Sequence, residues 1–283
     1  MKFKLIGLLC IVFLFVGCRK NRNHCRDCIT FNHNGEQRQY LIHTPSPLAA
    51  NAPLIFVLHG YTGNAPDIKE IIGLDELASS QNFAVCYPQG ALDNDNYPHW
   101  NARLSISSTD DIGFLSALAK HLQTEYNLDS NRTYTCGFSN GGFMSYTLVA
   151  EAPEIFKGAA SITGTMSGYT WENRDQISPV SILQVTGSQD DIVPMDGSMS
   201  EWDGWGGAPH MDTIIQFWKD LNQISTINTS NSTNQLDAFH FEEGIDSTKV
   251  WYYKFHNMGH EIPMTNSYGV SSAELLWDFF SSL

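Results

Sequence analysis

Short apolar runs alternate with helical patterns along most of this chain, and this alternation restricts the possible folds more than any other feature. The runs PLIFVLHG (53–60) and NFAVCYPQG (82–90) are typical of strands, and a helical pattern lies between them. Residues 110–126 place their apolar side chains on one face, as an amphipathic helix does. Apolar strands separated by helices are typical of a parallel sheet covered on both faces. The sequence therefore predicts an α/β fold with a mainly parallel, doubly wound sheet.

The same alternation continues along the chain, and we expect one domain. Further strands are predicted in RTYTCGFS, FKGAASITG, VSILQVTGS and KVWYYKFH, and further helices in NGGFMSYTLVAEAPE, MDTIIQFWKDL and SSAELLWDFFSSL. Near the beginning, Asn34 and Gly35 form a pair that favours a hairpin turn between two strands. The polar stretch at 225–235 is expected to be a surface loop within the domain.

The composition limits the class of partner. The chain has 283 residues, of which 42% are hydrophobic, and this is enough for one large core. It carries 30 acidic against 16 basic residues, which gives a formal net charge of -14. A charge of this sign repels phosphate backbones and anionic membrane surfaces, so we expect no nucleic-acid partner.

The first residues have the form of a secretory signal. Lys2 and Lys4 precede an apolar run at 5–16, which is shorter than the roughly 20 residues of a membrane-spanning helix. The run is followed by Gly17 and Cys18, and FVGC resembles the lipobox of bacterial lipoproteins, in which the cysteine carries the lipid. We predict a lipoprotein-type signal peptide at 1–18, a tether at 19–27 and the folded domain at 28–283. The protein would be lipid-anchored at the bacterial cell envelope, with plain secretion as the alternative.

Four cysteines follow the signal. Cys25 and Cys28 form a lone C-x-x-C without a second ligand pair, so a local disulfide is favoured over a zinc site. Cys86 and Cys136 lie inside apolar strand-like runs, where a free thiol behaves as a small buried hydrophobic group. We expect both to be core residues.

A serine between glycines marks the end of one predicted strand. In a doubly wound sheet, reactive groups gather at the carboxyl edge of the strands. GFSNG (137–141) lies at such an edge, between a strand and a helix. This is the context of the G-x-S-x-G nucleophile elbow, in which small neighbours leave room for a sharp turn. The sequence predicts Ser139 as a nucleophile, and a helix-capping serine is the plainer alternative.

A serine hydroxyl needs a base, and the base needs a carboxylate that sets its tautomer. In this fold the expected chain order is serine, acid, histidine. Asp190 follows the predicted strand VSILQVTG and is preferred over Asp191, because it lies nearer the end of the strand. His260 lies in a loop after the last predicted strand and is preferred over His256, which we place within that strand.

The oxyanion that forms after serine attack needs preorganised N–H donors. One donor is expected to be the backbone N–H of Asn140, at the start of the helix after the elbow. The other is expected from the loop after PLIFVLHG, and we assign it to the N–H of Tyr61.

With these residues in place, the chain resembles the secreted α/β-hydrolase family of polyhydroxybutyrate depolymerases and of feruloyl and acetylxylan esterases. The resemblance extends from about residue 40 to 283 and rests on PLIFVLHGYTGNA, YPQG followed by WNA, DDIGFLSAL, CGFSNGGFM, GSQDDIVP and GHEIP. It implies the α/β-hydrolase fold, Ser139 as nucleophile, Asp190 as acid and His260 as base. It also implies that the His59 loop belongs to the oxyanion hole and that Asp111 braces loops near the site.

Two features depart from the common family pattern. Thr186 and Gly187 stand where many members have His-Gly, and residues 198–211 form a longer insert that contains tryptophan. Trp202 and Trp205 could stack on a sugar or an aromatic acyl group, or pack on the core. We include them with Trp100 and His59 as candidate substrate-binding residues.

The sequence thus predicts an extracytoplasmic serine esterase that needs neither metal nor organic cofactor. The expected substrates are polysaccharide-linked feruloyl or acetyl esters, or polyhydroxyalkanoate esters. Membrane contact is expected only through the lipid at Cys18. Two alternatives remain: a glycan-binding protein on a non-catalytic hydrolase scaffold, and a small serine peptidase of the prolyl-oligopeptidase type.

Overall fold

The computed structural model describes residues 25, 27–201, 204–225 and 229–283. In these residues the strands are β1 (Ile29–His33), β2 (Glu36–His43), β3 (Leu54–Leu58), β4 (Ala84–Gln89), β5 (Ala91–Leu92), β6 (Pro98–His99), β7 (Thr133–Phe138), β8 (Gly158–Ile162), β9 (Ser181–Gly187), β10 (Thr229–Ser232), β11 (Leu236–Phe241) and β12 (Val250–Phe255). The helices are α1 (Ala65–Ile72), α2 (Leu74–Gln81), α3 (Asp111–Glu125), α4 (Asn140–Glu151), α5 (Gly168–Glu172), α6 (Met211–Leu221), α7 (Thr265–Tyr268) and α8 (Ser272–Ser281).

One large sheet organises the described part of the chain, with the strand order β1-β2-β4-β3-β7-β8-β9-β12-β11-β10. The central strands β4, β3, β7, β8, β9 and β12 run parallel. The strands at both edges are antiparallel. The mainly parallel sheet predicted from the sequence is confirmed.

Helices cover both faces of the sheet because the central strands are apolar on both sides. In β3, Leu54, Phe56 and Leu58 pack into a core shared with α3, α4 and α6. Ile55 and Val57 point the other way, into a core shared with α1, α2 and α8. This alternation follows from the two-residue period of a strand. It confirms the doubly wound arrangement.

Several local predictions are confirmed. Strands β1 and β2 form an antiparallel hairpin around Asn34 and Gly35. Cys86 and Cys136 are buried free thiols, and Cys25 forms a disulfide with Cys28. The predicted signal peptide and most of the predicted tether lie outside the described residues. Among the residues that are described, no helix combines the length and apolar character needed to cross a membrane.

One prediction about local structure is confirmed in a modified form, and another is wrong. The helical pattern after β3 is divided into α1 and α2 at Gly73, whose φ of 69° lies in the left-handed region that ends a helix. The polar stretch 225–235, predicted as a loop, contains strand β10, and sequence patterns did not indicate β11. β10 forms the sheet edge, where backbone pairing to β11 does not require apolar side chains.

A buried ion pair joins the N-terminal hairpin to the start of α3. The Arg38 guanidinium donates to Asp111 Oδ1 at 2.6 Å, and both side chains are almost fully excluded from solvent. The other Asp111 oxygen accepts the backbone N–H of Asn101 at 2.7 Å. Asp111 therefore fixes the loop that carries Trp100, in agreement with the bracing role implied by the family resemblance.

We expect Arg38→Met to lower the free energy of unfolding by about 3–5 kcal/mol, because it leaves the Asp111 carboxylate buried without its counter-ion. Urea unfolding measures this. Arg103→Met is the matched control, since Arg103 pairs with Glu151 at the surface and should cost no more than about 1 kcal/mol. Equal losses in the two variants would contradict a special role for the buried pair.

Candidate active site

Ser139 lies on a strained turn between β7 and α4. Its backbone has φ 54° and ψ −119°, a region that L-residues rarely adopt outside functional sites. The turn is possible because its flanking glycines lack side chains. A Cβ at Gly137 would collide with the backbone of Gly141, and a Cβ at Gly141 would collide with the carbonyl of Leu58. The G-x-S-x-G spacing thus has the steric basis that the sequence predicted.

The structure brings the three candidate triad side chains together. Ser139 Oγ lies 2.8 Å from His260 Nε2, and His260 Nδ1 lies 2.8 Å from Asp190 Oδ2. The second Asp190 oxygen accepts backbone N–H groups from Ile192 at 3.0 Å and from Val193 at 2.8 Å. The Asp190 side chain is 1% exposed and that of His260 is 16% exposed. A buried carboxylate with three donors is a fixed anchor for the imidazole.

Asp191 and His256, the two residues that competed for these roles, are not part of the hydrogen bonds to Ser139. Asp191 is exposed. His256 follows the end of β12, and its Nε2 lies 2.9 Å from Asp237 Oδ2. The structure thus connects the preferred pair to Ser139: His260 contacts the serine, and Asp190 contacts His260.

The hydrogen-bond partners assign the tautomer of His260. Its Nδ1–H donates to Asp190, so Nε2 keeps a lone pair that accepts the Ser139 hydroxyl proton. The ring packs against Phe138, with 5.1 Å between centroids. This geometry allows His260 to take the proton from Ser139 when the oxygen attacks a carbon centre.

The candidate oxyanion donors lie on segments next to Ser139 and its neighbour Phe138. Asn140 directly follows Ser139 and begins α4. A Cβ at Gly60 would lie 2.9 Å from the Phe138 ring, so the loop that leads to Tyr61 touches the residue before the serine. Among the described residues, the backbone N–H groups of Tyr61 and Asn140 make none of the backbone–backbone hydrogen bonds found in turns and loops.

The structure contradicts the substrate contact predicted for His59 and Trp100. Both side chains are buried, and both are hydrogen-bonded within the protein. Burial lowers the pKa of His59 to about 4, so its imidazole is neutral in weakly acidic and neutral solution. Both residues belong to the packed interior around the loop that follows β3.

The tryptophan insert reaches the site through Trp205. This half-buried ring lies edge-on to Tyr61 at 5.3 Å and to Phe143 at 6.0 Å between centroids. The Tyr61 hydroxyl donates to Asp93 Oδ2 at 2.6 Å, which fixes the ring that Trp205 contacts. Trp202 lies outside the described residues. The described residues also contain no cluster of His, Cys, Asp and Glu suited to a metal ion.

A family model described as esterase PHB depolymerase matches residues 38–249. The chain belongs to this esterase family. The family resemblance that the motifs predicted is therefore confirmed.

Two sequence relatives agree with this family. Poly(3-hydroxyalkanoate) depolymerase C of Paucimonas lemoignei is 32% identical over 77% of this chain and 51% of its own length. The bifunctional acetylxylan esterase/xylanase XynS20E of Neocallimastix patriciarum is 30% identical over 56% of this chain and 22% of its own length. The chain thus spans about half or less of these relatives.

The acetyl xylan esterase structure from Aspergillus awamori aligns with a TM-score of 0.64 at 16% identity. The alignment covers 90% of this chain and 98% of the Aspergillus awamori chain. The α/β-hydrolase fold predicted from the sequence is confirmed.

Proposed function

We propose that this protein is an extracytoplasmic serine esterase that hydrolyses carboxylic esters through an acyl-enzyme. One observation carries the proposal: Ser139, His260 and Asp190 form a continuous line of hydrogen bonds, with 2.8 Å at each step. Ser139, the first residue of this line, lies on a strained turn. The chain belongs to an esterase family. A nucleophile, a base and an orienting acid in this order are what acyl transfer requires.

The residues define the steps of the reaction. His260 Nε2 accepts the Ser139 proton while Oγ bonds to the ester carbonyl carbon, and the carbonyl oxygen becomes an oxyanion. The N–H groups of Tyr61 and Asn140 stabilise that charge. The C–O bond to the alcohol then breaks, and the alcohol leaves with the proton from His260. Water repeats the sequence on the acyl-enzyme, which releases the acid and restores Ser139.

We expect the purified protein to hydrolyse p-nitrophenyl acetate, and Ser139→Ala to lower kcat at least about 1,000-fold because the nucleophile is lost. Ser80→Ala, at an exposed position in α2, is the matched control and should keep wild-type activity. A wild-type protein without turnover would instead favour the glycan-binding alternative.

The proposed substrates are polysaccharide-linked feruloyl or acetyl esters, or polyhydroxyalkanoate esters. Support comes from the names of the relatives, which include a poly(3-hydroxyalkanoate) depolymerase and an acetylxylan esterase. The contact between Trp205 and Tyr61 adds an aromatic wall next to the proposed oxyanion donor. A flat aromatic face of this kind suits a sugar or a phenolic ring.

We expect Trp205→Ala to raise KM about 5- to 10-fold for the best ester in a panel, because a stacking contact is worth about 1 kcal/mol. The panel consists of methyl ferulate, acetylated xylan and short hydroxybutyrate oligomers. Trp171→Ala is the control, since Trp171 is also half-buried but contacts Phe217 and Arg174. An unchanged KM in Trp205→Ala would remove Trp205 from the substrate site.

The proposed location rests on the signal-like segment that ends at Cys18. We expect the full chain, expressed in a bacterium, to enter the membrane fraction and to incorporate labelled palmitate. Cys18→Ser should abolish the label, whereas Cys10→Ser, within the apolar run, should keep it. Release of unlabelled wild-type protein into the medium would support plain secretion instead.

A further inference from the structure

The side chain of Asn140 binds the backbone of Trp100 at two points. Asn140 Oδ1 accepts the Trp100 N–H at 2.7 Å, and Asn140 Nδ2 donates to the Trp100 carbonyl at 3.0 Å. The Asn140 side chain is fully buried. A carboxamide carries both a donor and an acceptor, so it can make both bonds at once. The first residue of α4 therefore fixes a loop that lies 40 residues earlier in the chain.

Trp100 in turn binds the loop after β3. Its indole N–H donates to the His59 carbonyl at 2.9 Å, and its ring lies against the His59 imidazole with 5.0 Å between centroids. The backbone orientation at His59 is thus fixed from the Trp100 side.

The His59 imidazole continues the connection to Gly60. His59 Nε2 accepts the Gly90 N–H at 2.9 Å, which assigns the proton to Nδ1. That Nδ1–H donates to the Gly60 carbonyl at 2.8 Å. The Gly63 N–H donates to the same carbonyl at 3.0 Å. Two donors therefore fix the direction of the Gly60 carbonyl.

Fixing this carbonyl also fixes the proposed oxyanion donor. The Gly60–Tyr61 peptide is trans, and in a planar trans peptide the N–H points opposite to the carbonyl. The Tyr61 N–H must therefore point away from His59. The other proposed donor is the N–H of Asn140, whose side chain begins the connection.

We propose that Asn140, Trp100 and His59 are positioning residues. They hold the two N–H donors of the oxyanion hole at a fixed position relative to each other. We call these three residues the oxyanion clamp. This inference rests on the proposed esterase function and deepens it. Asn140 has two separate tasks: its backbone donates to the oxyanion, and its side chain positions the other donor through Trp100 and His59. A preorganised hole stabilises the transition state more than the ground state.

Trp100→Phe tests the clamp, because it removes the indole N–H and retains a buried aromatic ring. We expect kcat for p-nitrophenyl acetate to fall about 10- to 100-fold, with KM within about 3-fold of wild type. Binding of a phenylboronic acid, which forms a tetrahedral adduct on Ser139, should weaken by a similar factor. Melting temperature is measured in parallel to detect unfolding.

Trp218→Phe is the matched control. Trp218 is also fully buried, but its indole N–H has no hydrogen-bond partner among the described residues. The same substitution there should leave kcat and boronate affinity within about 3-fold of wild type. If Trp100→Phe behaves like Trp218→Phe, or loses kcat without losing boronate affinity, the clamp is overturned.

Asn140→Ala gives a second test, because it keeps the backbone N–H and removes only the side chain. We expect a loss in kcat similar to that of Trp100→Phe, and no further loss in the double variant, since both changes interrupt the same connection. Losses that multiply in the double variant would contradict a single connection. A wild-type protein with no Ser139-dependent turnover would instead refute the esterase function, and the clamp with it.

Discussion

The close approach of backbone segments around Ser139 is the constraint on which the rest of the site depends. Strand β7 can turn directly into α4 only because Gly137 and Gly141 present no side chains to each other or to the carbonyl of Leu58. The same contact brings the end of β3 against the start of α4. The strained backbone of Ser139 is thus held by packing on several sides, and the surrounding sheet prevents it from relaxing.

The parallel sheet also explains how Asp190 and His260 come together. Strands β9 and β12 are neighbours, and their last residues, Gly187 and Phe255, are paired in register. The loops that follow leave the sheet at the same level and are joined by backbone hydrogen bonds, such as that from the Gln189 N–H to the Met258 carbonyl at 2.9 Å. Asp190 and His260 lie on these two loops. Their 2.8 Å contact is therefore a consequence of strand order.

Sequence patterns predicted the central strands and the three side chains that meet at Ser139, because both depend on local signals. Apolar runs mark the central strands, and the spacing of Ser139, Asp190 and His260 follows the ends of those strands. The roles of His59 and Trp100 could not be predicted, because their partners are backbone carbonyls and N–H groups from distant segments. A histidine or tryptophan near a site has the same sequence signature whether it binds substrate or backbone. Strand β10 was not predicted for a related reason. Its residues are polar, and only its backbone pairing to β11 makes it a strand.

The site thus combines a framework fixed around Ser139 with the insert that carries Trp205. The turn at Ser139, the Asp190 loop and the proposed donors are fixed by buried backbone contacts, so substitutions there would alter the chemistry itself. Trp205 belongs to an insert that contacts this framework at the rings of Tyr61 and Phe143. Tyr61 belongs to both parts, because its N–H is a proposed oxyanion donor while its hydroxyl donates to Asp93. Substitutions at Trp205 can therefore alter the proposed substrate wall, while the orientation of the proposed donor at Tyr61, which depends on the Gly60 carbonyl, stays the same.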